Sequence, residues 1–287
     1  MESHRRKGIS FAILAAGLYA INAPFSKILL SFIPSTLLAG LLYLGAGLGM
    51  ISILLIRRFK KVKSAEMNLT KAERPYTIAM ILLDIAAPIF LLAGLNFTSA
   101  ANVSLLNNFE IVATAIIALF IFKEAISAKL WFGILAVTLS CAILSFEDMS
   151  SFRFSYGSLL VLLAAVFWGF ENNCTRKISS KDPLQIVLLK GIFSGTGSLL
   201  IGFFLGERIK TGWSIVLALI VGFVAYGLSI YFYVYAQRLL GAARTSAYYD
   251  VAPFISTAFS LLLFREVPDI FYFIALGLML IGAYFCS

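Results

Sequence analysis

Acidic residues lie inside long apolar stretches of this sequence, and the carboxyl groups of three of them are the first candidates for chemistry. Asp84, Glu110 and Glu171 each occur where most neighbouring residues are apolar. Charged side chains at membrane depth are costly, so they usually face a cavity or a partner. A carboxylate removed from water is also able to bind a proton near neutral pH. We therefore expect these residues to line a polar cavity, with proton coupling as one use for them.

Glu110 also belongs to a polar stripe. Asn107, Glu110 and Thr114 recur at intervals of three and four residues, which places them on one face of a helix. This spacing predicts that the stripe lines a central cavity. The alternative is a structural network of hydrogen bonds between helices, which polar side chains also form in membranes.

A wider set of polar and aromatic residues is suited to binding a small organic ligand. Aromatic rings attract cationic groups, although they also pack or lie at membrane interfaces. Lys190 could neutralise a substrate carboxylate, whereas Glu171 could instead pair with Lys190 or Arg176. Asp84 could bond to a neighbouring helix, and Lys27 is expected to reach the outer interface. The predicted substrate-binding residues are Asn22, Asp84, Asn107, Glu110, Trp168, Glu171, Lys190, Tyr226, Tyr233, Tyr249 and Asp250.

The elements that must position these residues are membrane-spanning helices. Of the 287 residues, 61% are hydrophobic, about twice what one soluble core of this length buries. A bilayer core takes about 20 apolar residues per helix, and backbone groups in lipid must be satisfied within each segment. We therefore predict an all-α membrane protein with ten transmembrane helices. The apolar stretches are Ile9–Phe32, Thr36–Ile56, Tyr76–Asn96, Ala101–Phe122, Leu130–Phe146, Ser158–Cys174, Leu184–Leu205, Trp213–Tyr235, Ala243–Phe264 and Ile270–Cys286.

The basic residues predict an orientation. Lys and Arg concentrate in alternate intervals between the apolar stretches, and the other intervals hold only Arg153, Arg208, Lys210 and Arg265. Because cytoplasmic loops are richer in basic residues, both termini are predicted to be cytoplasmic. The short loops suit a multi-pass protein of a bacterial inner membrane. A basic start followed by an apolar run is also typical of a signal peptide, but the repeat described next argues against that alternative.

The two halves of the sequence resemble each other. Each half holds five apolar stretches, so the second half enters the membrane from the opposite side. We predict two inverted five-helix repeats, over residues 1–150 and 151–287, with a substrate site between them near the bilayer midplane. At a shift of 149, Gly8, Ala15-Ala16, Tyr19, Asn22 and Ser26-Lys27 lie over Gly157, Ala164-Ala165, Trp168, Glu171 and Thr175-Arg176. At a shift of 142, Ala100-Ala101-x2-Ser104 and Phe122-Lys123-Glu124 lie over Ala242-Ala243-x2-Ser246 and Phe264-Arg265-Glu266.

Several motifs recur in the two halves in the same order. They are Tyr19-Ala20-Ile21-Asn22 with Trp168-Gly169-Phe170-Glu171, Thr98-Ser99-Ala100-Ala101 with Phe122-Lys123-Glu124, and Gly241-Ala242-Ala243 with Ala252-Pro253 and Phe264-Arg265-Glu266. Over nearly the whole chain, this pattern resembles the EamA-type branch of the drug/metabolite transporter (DMT) superfamily. The resemblance implies a secondary carrier of small metabolites, often an exporter of amino acids or related compounds. Ile111 stands where the family often has proline, as at Pro253, so the usual cause of a distortion in this helix is missing.

These features favour a secondary active transporter that works by alternating access. The alternatives are a multidrug, organic-cation or amine transporter of the same fold, an integral membrane enzyme, and a channel. A direct use of ATP is not expected, because the sequence has no Gly-x4-Gly-Lys-Ser/Thr motif. An enzyme is not expected either, because the single histidine is His4 and the cysteines are scattered.

The expected partners are a small-molecule substrate and the lipid bilayer. The net charge of +9 comes from basic residues beside hydrophobic segments, so no nucleic acid is expected. No cofactor or metal is expected. Gly45-x-x-x-Gly49 and Gly191-x-x-x-Gly195 permit close helix approach, either within one bundle or across a homodimer, so both a monomer and a homodimer are open.

Overall fold

The computed structural model describes residues 2–60, 67–122, 127–148, 153–240, 245, 248–249, 251–265 and 270–286. Regular structure in these ranges is helical apart from one short hairpin, in which β1 (Phe146–Asp148) pairs antiparallel with β2 (Arg153–Phe154). The helices follow the apolar stretches of the sequence, since a helix satisfies its own backbone in lipid. The all-α prediction is therefore confirmed for these ranges, except at the hairpin.

The hairpin separates two groups of helices. Those before it are α1 (Glu2–Ala20), α2 (Asn22–Leu29), α3 (Ser35–Phe59), α4 (Arg74–Leu95), α5 (Ala100–Leu106), α6 (Phe109–Phe122) and α7 (Ala128–Leu144). Those after it are α8 (Tyr156–Ile178), α9 (Pro183–Leu189), α10 (Gly195–Phe204), α11 (Gly212–Val221), α12 (Ser229–Leu240), α13 (Ala252–Phe264) and α14 (Ile270–Cys286). A 3-10 turn (Lys71–Glu73) precedes α4, and π-helical segments (Lys190–Ser194 and Gly222–Leu228) join α9 to α10 and α11 to α12.

Several helices begin at a serine that caps them. The side chains of Ser99, Ser127 and Ser155 accept hydrogen bonds from backbone N–H groups in the first turns of α5, α7 and α8. Such caps satisfy N–H groups that have no partner within the helix. The sequence thus determines where these helices start.

Within the residues that the structure describes, seven helical stretches are long and apolar enough to cross a membrane. Three shorter apolar helices, α7, α13 and most of α14, accompany them. Large side chains such as Leu262 and Phe204 are about 80% exposed on the outside of the bundle, where lipid would cover them. The chain is therefore a multi-pass membrane protein, whereas the number of ten spans stays a prediction. The seven stretches are Arg5–Leu29, Ser35–Phe59, Lys71–Leu95, Ala100–Ile121, Tyr156–Ile178, Pro183–Phe204 and Gly212–Leu240.

Glycines bring the helices around α3 into backbone contact. A Cβ atom on Gly191 would lie 2.2 Å from the backbone nitrogen of Gly47. A Cβ atom on Gly45 would lie 2.2 Å from the carbonyl oxygen of Leu219. Both contacts lie within one chain. The two Gly-x-x-x-Gly motifs are thus used inside the bundle, which was one of the two alternatives.

We expect Gly191→Ala to lower the free energy of unfolding by about 1–3 kcal/mol, because the added methyl group would overlap the backbone of α3. Thermal denaturation of the purified protein in detergent measures this loss. Gly277→Ala is the matched control, since a Cβ atom there meets nothing within 4 Å among the described residues outside its own helix. Equal losses of stability in the two variants would contradict the prediction.

Lys27 is bound by backbone carbonyl groups near the end of α4. Its ammonium group donates hydrogen bonds to the carbonyl oxygens of Leu95 and, at 2.8 Å, Thr98. The Leu95 oxygen lies at the C-terminal end of α4, where carbonyl groups have no partner within the helix and carry partial negative charge, and Thr98 lies in the turn between α4 and α5. The lysine is therefore held by a neighbouring helix end.

Candidate substrate site

Two carboxylates share one lysine in the interior of the bundle. The ammonium nitrogen of Lys190 lies 2.5 Å from Glu171 Oε1 and 3.3 Å from Asp84 Oδ2. All three side chains are less than 5% exposed. We call Asp84, Glu171 and Lys190 the charged cluster. Its fully ionised form would carry one net negative charge, so one bound proton or cation would balance it.

The charged cluster joins three helices and has further hydrogen-bond donors. Tyr43 of α3 donates from its hydroxyl to Asp84 Oδ1 at 2.8 Å, and Thr175 of α8 donates to Glu171 Oε1. Lys190 opens a π-helical segment, a form that occurs often at functional sites. The structure thus contains both the Glu171–Lys190 ion pair and the bond from Asp84 to a neighbouring helix, each of which was an alternative for these residues.

A neutral arrangement surrounds Asn22, which corresponds to Glu171 in the repeated motif. Asn22 Nδ2 donates to the hydroxyl of Tyr226 at 3.1 Å, and Ser26 donates to Asn22 Oδ1 at 3.0 Å. The ring of Tyr226 lies 5.0 Å from the ring of Tyr43, measured between centroids. Since Tyr43 bonds to Asp84, the two tyrosines connect Asn22 with the charged cluster.

Next to Asn22 lies a small pocket between α1, α2, α4, α5 and α13. Ser104 of α5 and Ser256 of α13 lie in its wall with their hydroxyl oxygens 2.8 Å apart. Buried Asn107 also faces the pocket, and its Oδ1 has no hydrogen-bond partner in the described ranges. The full lining is Tyr19, Asn22, Ala23, Leu91, Val103, Ser104, Asn107, Pro253 and Ser256.

Two helix interruptions border this pocket. One lies at Ile21, between α1 and α2, and the other at Asn107 and Asn108, between α5 and α6. The second break occurs although Ile111, and not a proline, follows it, so the missing proline did not prevent a distortion here. Because residues at such breaks have backbone and side-chain groups outside the helical pattern, they are able to contact a ligand.

Glu110 lies in the first turn of α6, one turn beyond Asn107. Asn172 of α8 donates from Nδ2 to Glu110 Oε1 at 2.5 Å and lies 3.4 Å from the hydroxyl of Thr114. Glu110 forms no ion pair with any residue that the structure describes. It lies within electrostatic reach of the charged cluster and of Tyr19. The three residues of the predicted stripe therefore have different surroundings. Asn107 lines the pocket, whereas Glu110 and Thr114 are hydrogen-bonded to Asn172 of α8.

The aromatic candidates occupy different surroundings. The rings of Tyr233 and Tyr249 lie 4.8 Å apart, and Tyr19 lies 6.0 Å from both Tyr249 and Tyr226. These tyrosines therefore form a continuous group beside the pocket. Trp168 is instead buried among apolar side chains of the core. Asp250 lies outside the described residues.

Sequence reasoning did not include several residues of these sites in the predicted set. Tyr19 could have been added, because it lies one turn before Asn22 in the repeated motif. Asn172 directly follows Glu171, yet only the acid was chosen. No sequence feature indicated Tyr43 or Ser256, since a single tyrosine or serine in an apolar helix is common. No group of three or more metal-ligating His, Cys, Asp or Glu side chains occurs in the described ranges.

The fold and the polar interior define a membrane transporter, and comparison with known proteins agrees. The model of the EamA-like transporter family matches residues 6–146 and 155–287. This chain belongs to that family, which is part of the drug/metabolite transporter superfamily. The resemblance seen in the motifs is thereby confirmed, and the chain is a transporter, not an enzyme.

A relative and a solved structure extend this result. An uncharacterized transporter of Methanothermobacter thermautotrophicus is 25% identical over 288 residues, which cover 95% of this chain and 83% of the relative. A protein with a known crystal structure has the same fold, with a TM-score of 0.68 at 18% sequence identity. The match covers 99% of this chain and 96% of that chain.

Proposed function

We propose that this protein is a secondary active transporter that moves a small metabolite across the cytoplasmic membrane by alternating access. The observation that carries the proposal is the pocket between α1, α2, α4, α5 and α13, which is bordered by two interrupted helices. Substrate sites of secondary transporters are typically formed by such discontinuous helices at the interface of repeats. Asn22 and Asn107 are the residues of the predicted set that line the pocket, so they contact the substrate in this proposal.

The proposed architecture is ten spans in two inverted five-helix repeats, residues 1–150 and 151–287. The packing of the helices supports it, because contacts occur in related pairs. The contact of α4 with α8 corresponds to that of α12 with α1, and the contact of α6 with α8 corresponds to that of α13 with α1. Exchanging the first half of the chain for the second turns each contact into its counterpart. The bond from Ser26 to Asn22 also has its counterpart in the bond from Thr175 to Glu171. The two stretches matched by the family model divide the chain at the same place.

The proposed orientation places both termini in the cytoplasm of a cell with an inner membrane. The distribution of lysine and arginine supports this orientation. A monomer is the favoured form, since the glycine motifs are occupied by contacts within the chain.

For the substrate, the proposal is an amino acid or a related compound, and for the direction it is export, as the family resemblance implies. An amine or other organic cation is the second candidate, favoured by the tyrosines beside the pocket and by Glu110. The buried carboxylates Asp84 and Glu171 and the partly buried Glu110 outnumber Lys190, the basic partner of the first two, which supports coupling to protons. Trp168, Tyr226, Tyr233, Tyr249 and Asp250 would shape the path around the pocket.

We expect Ser256→Leu to abolish exchange of radiolabelled amino acids and amines by proteoliposomes containing the protein. The larger side chain would fill the pocket between Ser256 and Ser104, which are now 2.8 Å apart. Ser52→Leu is the matched control, because Ser52 is exposed on α3 and its hydroxyl bonds only to the carbonyl oxygen of Leu48. Normal exchange by Ser256→Leu, with correct folding shown by thermal denaturation, would contradict the assignment of this pocket.

A further inference from the structure

We propose that an anionic phospholipid binds at one end of the bundle, with its phosphate group against the guanidinium groups of Arg57 and Arg238. These arginines lie in the last turns of α3 and α12. Neither of them lines the pocket of the proposed function. The inference therefore does not depend on which substrate the pocket holds or on the direction of transport.

Two arginines and two tyrosines form a continuous row at this end. The guanidinium carbon of Arg57 lies 5.6 Å from the ring centroid of Tyr231, and that of Arg238 lies 5.5 Å from the ring centroid of Tyr235. The centroids of the two rings are 5.0 Å apart. Arg57 also donates a hydrogen bond to the hydroxyl of Tyr231. We call these four residues the basic–aromatic cluster, which carries two positive charges.

The protein holds the basic–aromatic cluster in place. Tyr231 is buried and packs with Met50 of α3 and with Leu184 of α9. Arg238 donates a hydrogen bond to the backbone carbonyl oxygen of Lys181, between α8 and α9. A group that is already ordered loses less conformational freedom when a ligand binds. The two guanidinium groups are thus arranged before any ligand arrives.

The charge of Arg57 is not balanced by a neighbouring acid in the described ranges. Of the described acidic residues near this end, Glu73 lies 3.4 Å from the ammonium group of Lys181, and Asp182 accepts a hydrogen bond from the backbone N–H of Leu184. No ion pair among the described residues includes Arg57. A guanidinium group has a planar fork of N–H donors that fits the oxygens of a phosphate group. Its surroundings therefore favour an anion of this shape.

The position of the basic–aromatic cluster favours a lipid over a soluble anion. Its two arginines lie near the ends of the membrane-crossing stretches Ser35–Phe59 and Gly212–Leu240, which is the depth of the lipid headgroups. On α3, Ile56 is 54% exposed and Phe59 is 85% exposed. A phospholipid joins a phosphate group to acyl chains, so one molecule would cover the charge and this apolar surface together.

A third basic residue favours an anionic lipid over a zwitterionic one. The ammonium nitrogen of Lys7 lies 5.7 Å from the ring centroid of Phe11, and this ring lies 6.2 Å from the ring of Tyr235. Basic groups clustered beside membrane helices attract anionic headgroups. The amine of a zwitterionic headgroup would instead be repelled by Lys7 and the two arginines. The phospholipid would also join α1 and α3 of the first half to α12 of the second, so it should stabilise the bundle.

The test uses the purified full chain in detergent after bound lipid has been removed. The probes are phosphatidylglycerol, which is anionic, phosphatidylcholine with the same acyl chains, which is zwitterionic, and inorganic phosphate. Native mass spectrometry measures binding, and thermal denaturation measures the stabilisation that binding produces. We expect phosphatidylglycerol to bind more tightly than phosphatidylcholine and to raise the melting temperature, less so at high salt, whereas inorganic phosphate should have no effect at the same concentration.

Arg57→Gln should weaken the binding of phosphatidylglycerol by about fivefold or more, because one basic contact with the headgroup is lost. Arg57→Lys keeps the charge without the fork of donors, so its affinity should lie between those of Arg57→Gln and the unaltered protein. Arg74→Gln is the matched control, since Arg74 is exposed at the start of α4 and lies outside the basic–aromatic cluster. Unchanged binding of phosphatidylcholine by Arg57→Gln controls for damage to the fold.

Four results would overturn the inference. Absence of phosphatidylglycerol binding would remove the site, and equally tight binding of phosphatidylcholine would show that the acyl chains alone are recognised. An equal effect of inorganic phosphate would indicate a site for a soluble anion. Equal losses in Arg57→Gln and Arg74→Gln would show only a general attraction by the basic surface. None of these results bears on the pocket, which Ser256→Leu tests separately.

Discussion

Lys190→Met should destabilise the protein by about 3–5 kcal/mol, the largest stability change that we expect from any single substitution in the described ranges. The substitution would leave Asp84 and Glu171 buried next to each other without a counterion. Methionine has a similar length and packs well, so the loss would arise from the missing charge and not from a cavity. Unfolding of the purified protein in mixed micelles, followed by circular dichroism, measures the change.

Glu171→Gln is the informative comparison, because it removes one of the two carboxylates and keeps the lysine. The glutamine oxygen is still able to accept hydrogen bonds from Lys190 and Thr175, while Lys190 keeps its ion pair with Asp84. We expect this variant to lose much less stability than Lys190→Met. Adding Glu171→Gln to Lys190→Met should recover part of the loss. Equal losses in the two single variants would show that the carboxylates do not share the lysine.

The stability of Lys190→Met should also decrease as the pH rises. Without the lysine, the buried carboxyl groups fold in the neutral form and hold protons that the unfolded chain does not hold near neutral pH. Stability falls with pH wherever the folded state binds more protons, by up to about 1.4 kcal/mol per pH unit and proton. A pH-independent loss between pH 5 and pH 8 would contradict this explanation.

Lys27→Met should lower the free energy of unfolding by about 2–3 kcal/mol. The substitution removes a charged donor from the carbonyl oxygens of Leu95 and Thr98, and hydrogen bonds to charged groups contribute about 1.5–3 kcal/mol each. The Leu95 oxygen ends α4, which carries Asp84, so the exchange activity should fall together with the stability. The same micelle titration measures the change in unfolding free energy.

Lys210→Met provides the matched control for Lys27. Lys210 also donates to a backbone carbonyl oxygen, that of Ser31 at 3.1 Å, but this bond is exposed to solvent. Exposed substitutions of this kind usually change stability by less than about 0.5 kcal/mol. If the two lysine variants lose the same amount, burial of the Lys27 bonds is not the cause.

Much of the fold could be predicted because its signals are local. Apolar stretches of membrane length predict helices, since lipid leaves no other partner for the backbone. Serines such as Ser99 and Ser155 mark helix starts because their side chains accept bonds from the first turn. The break at Asn107 and Asn108 was not predicted, since its usual cause, a proline, is absent from the segment.

The site was predicted in its residue types and only partly in its contacts. The cost of charge in a membrane identified Asp84, Glu110, Glu171 and Lys190 as unusual. The same argument did not say that Lys190 would bind two of the acids and leave Glu110 with Asn172.

The sequence by itself determined that this is a helical membrane protein, that it resembles EamA-type transporters, and that Asp84, Glu110, Glu171 and Lys190 lie inside apolar stretches. Only the tertiary structure decided that Ser104 meets Ser256, that Tyr43 bonds to Asp84, and which acid lacks an ion pair. The physical reason is that helical periodicity specifies a face of each helix but not its neighbour. The neighbours depend on close backbone contacts, such as that between Gly191 and Gly47, which bring residues far apart in the sequence together.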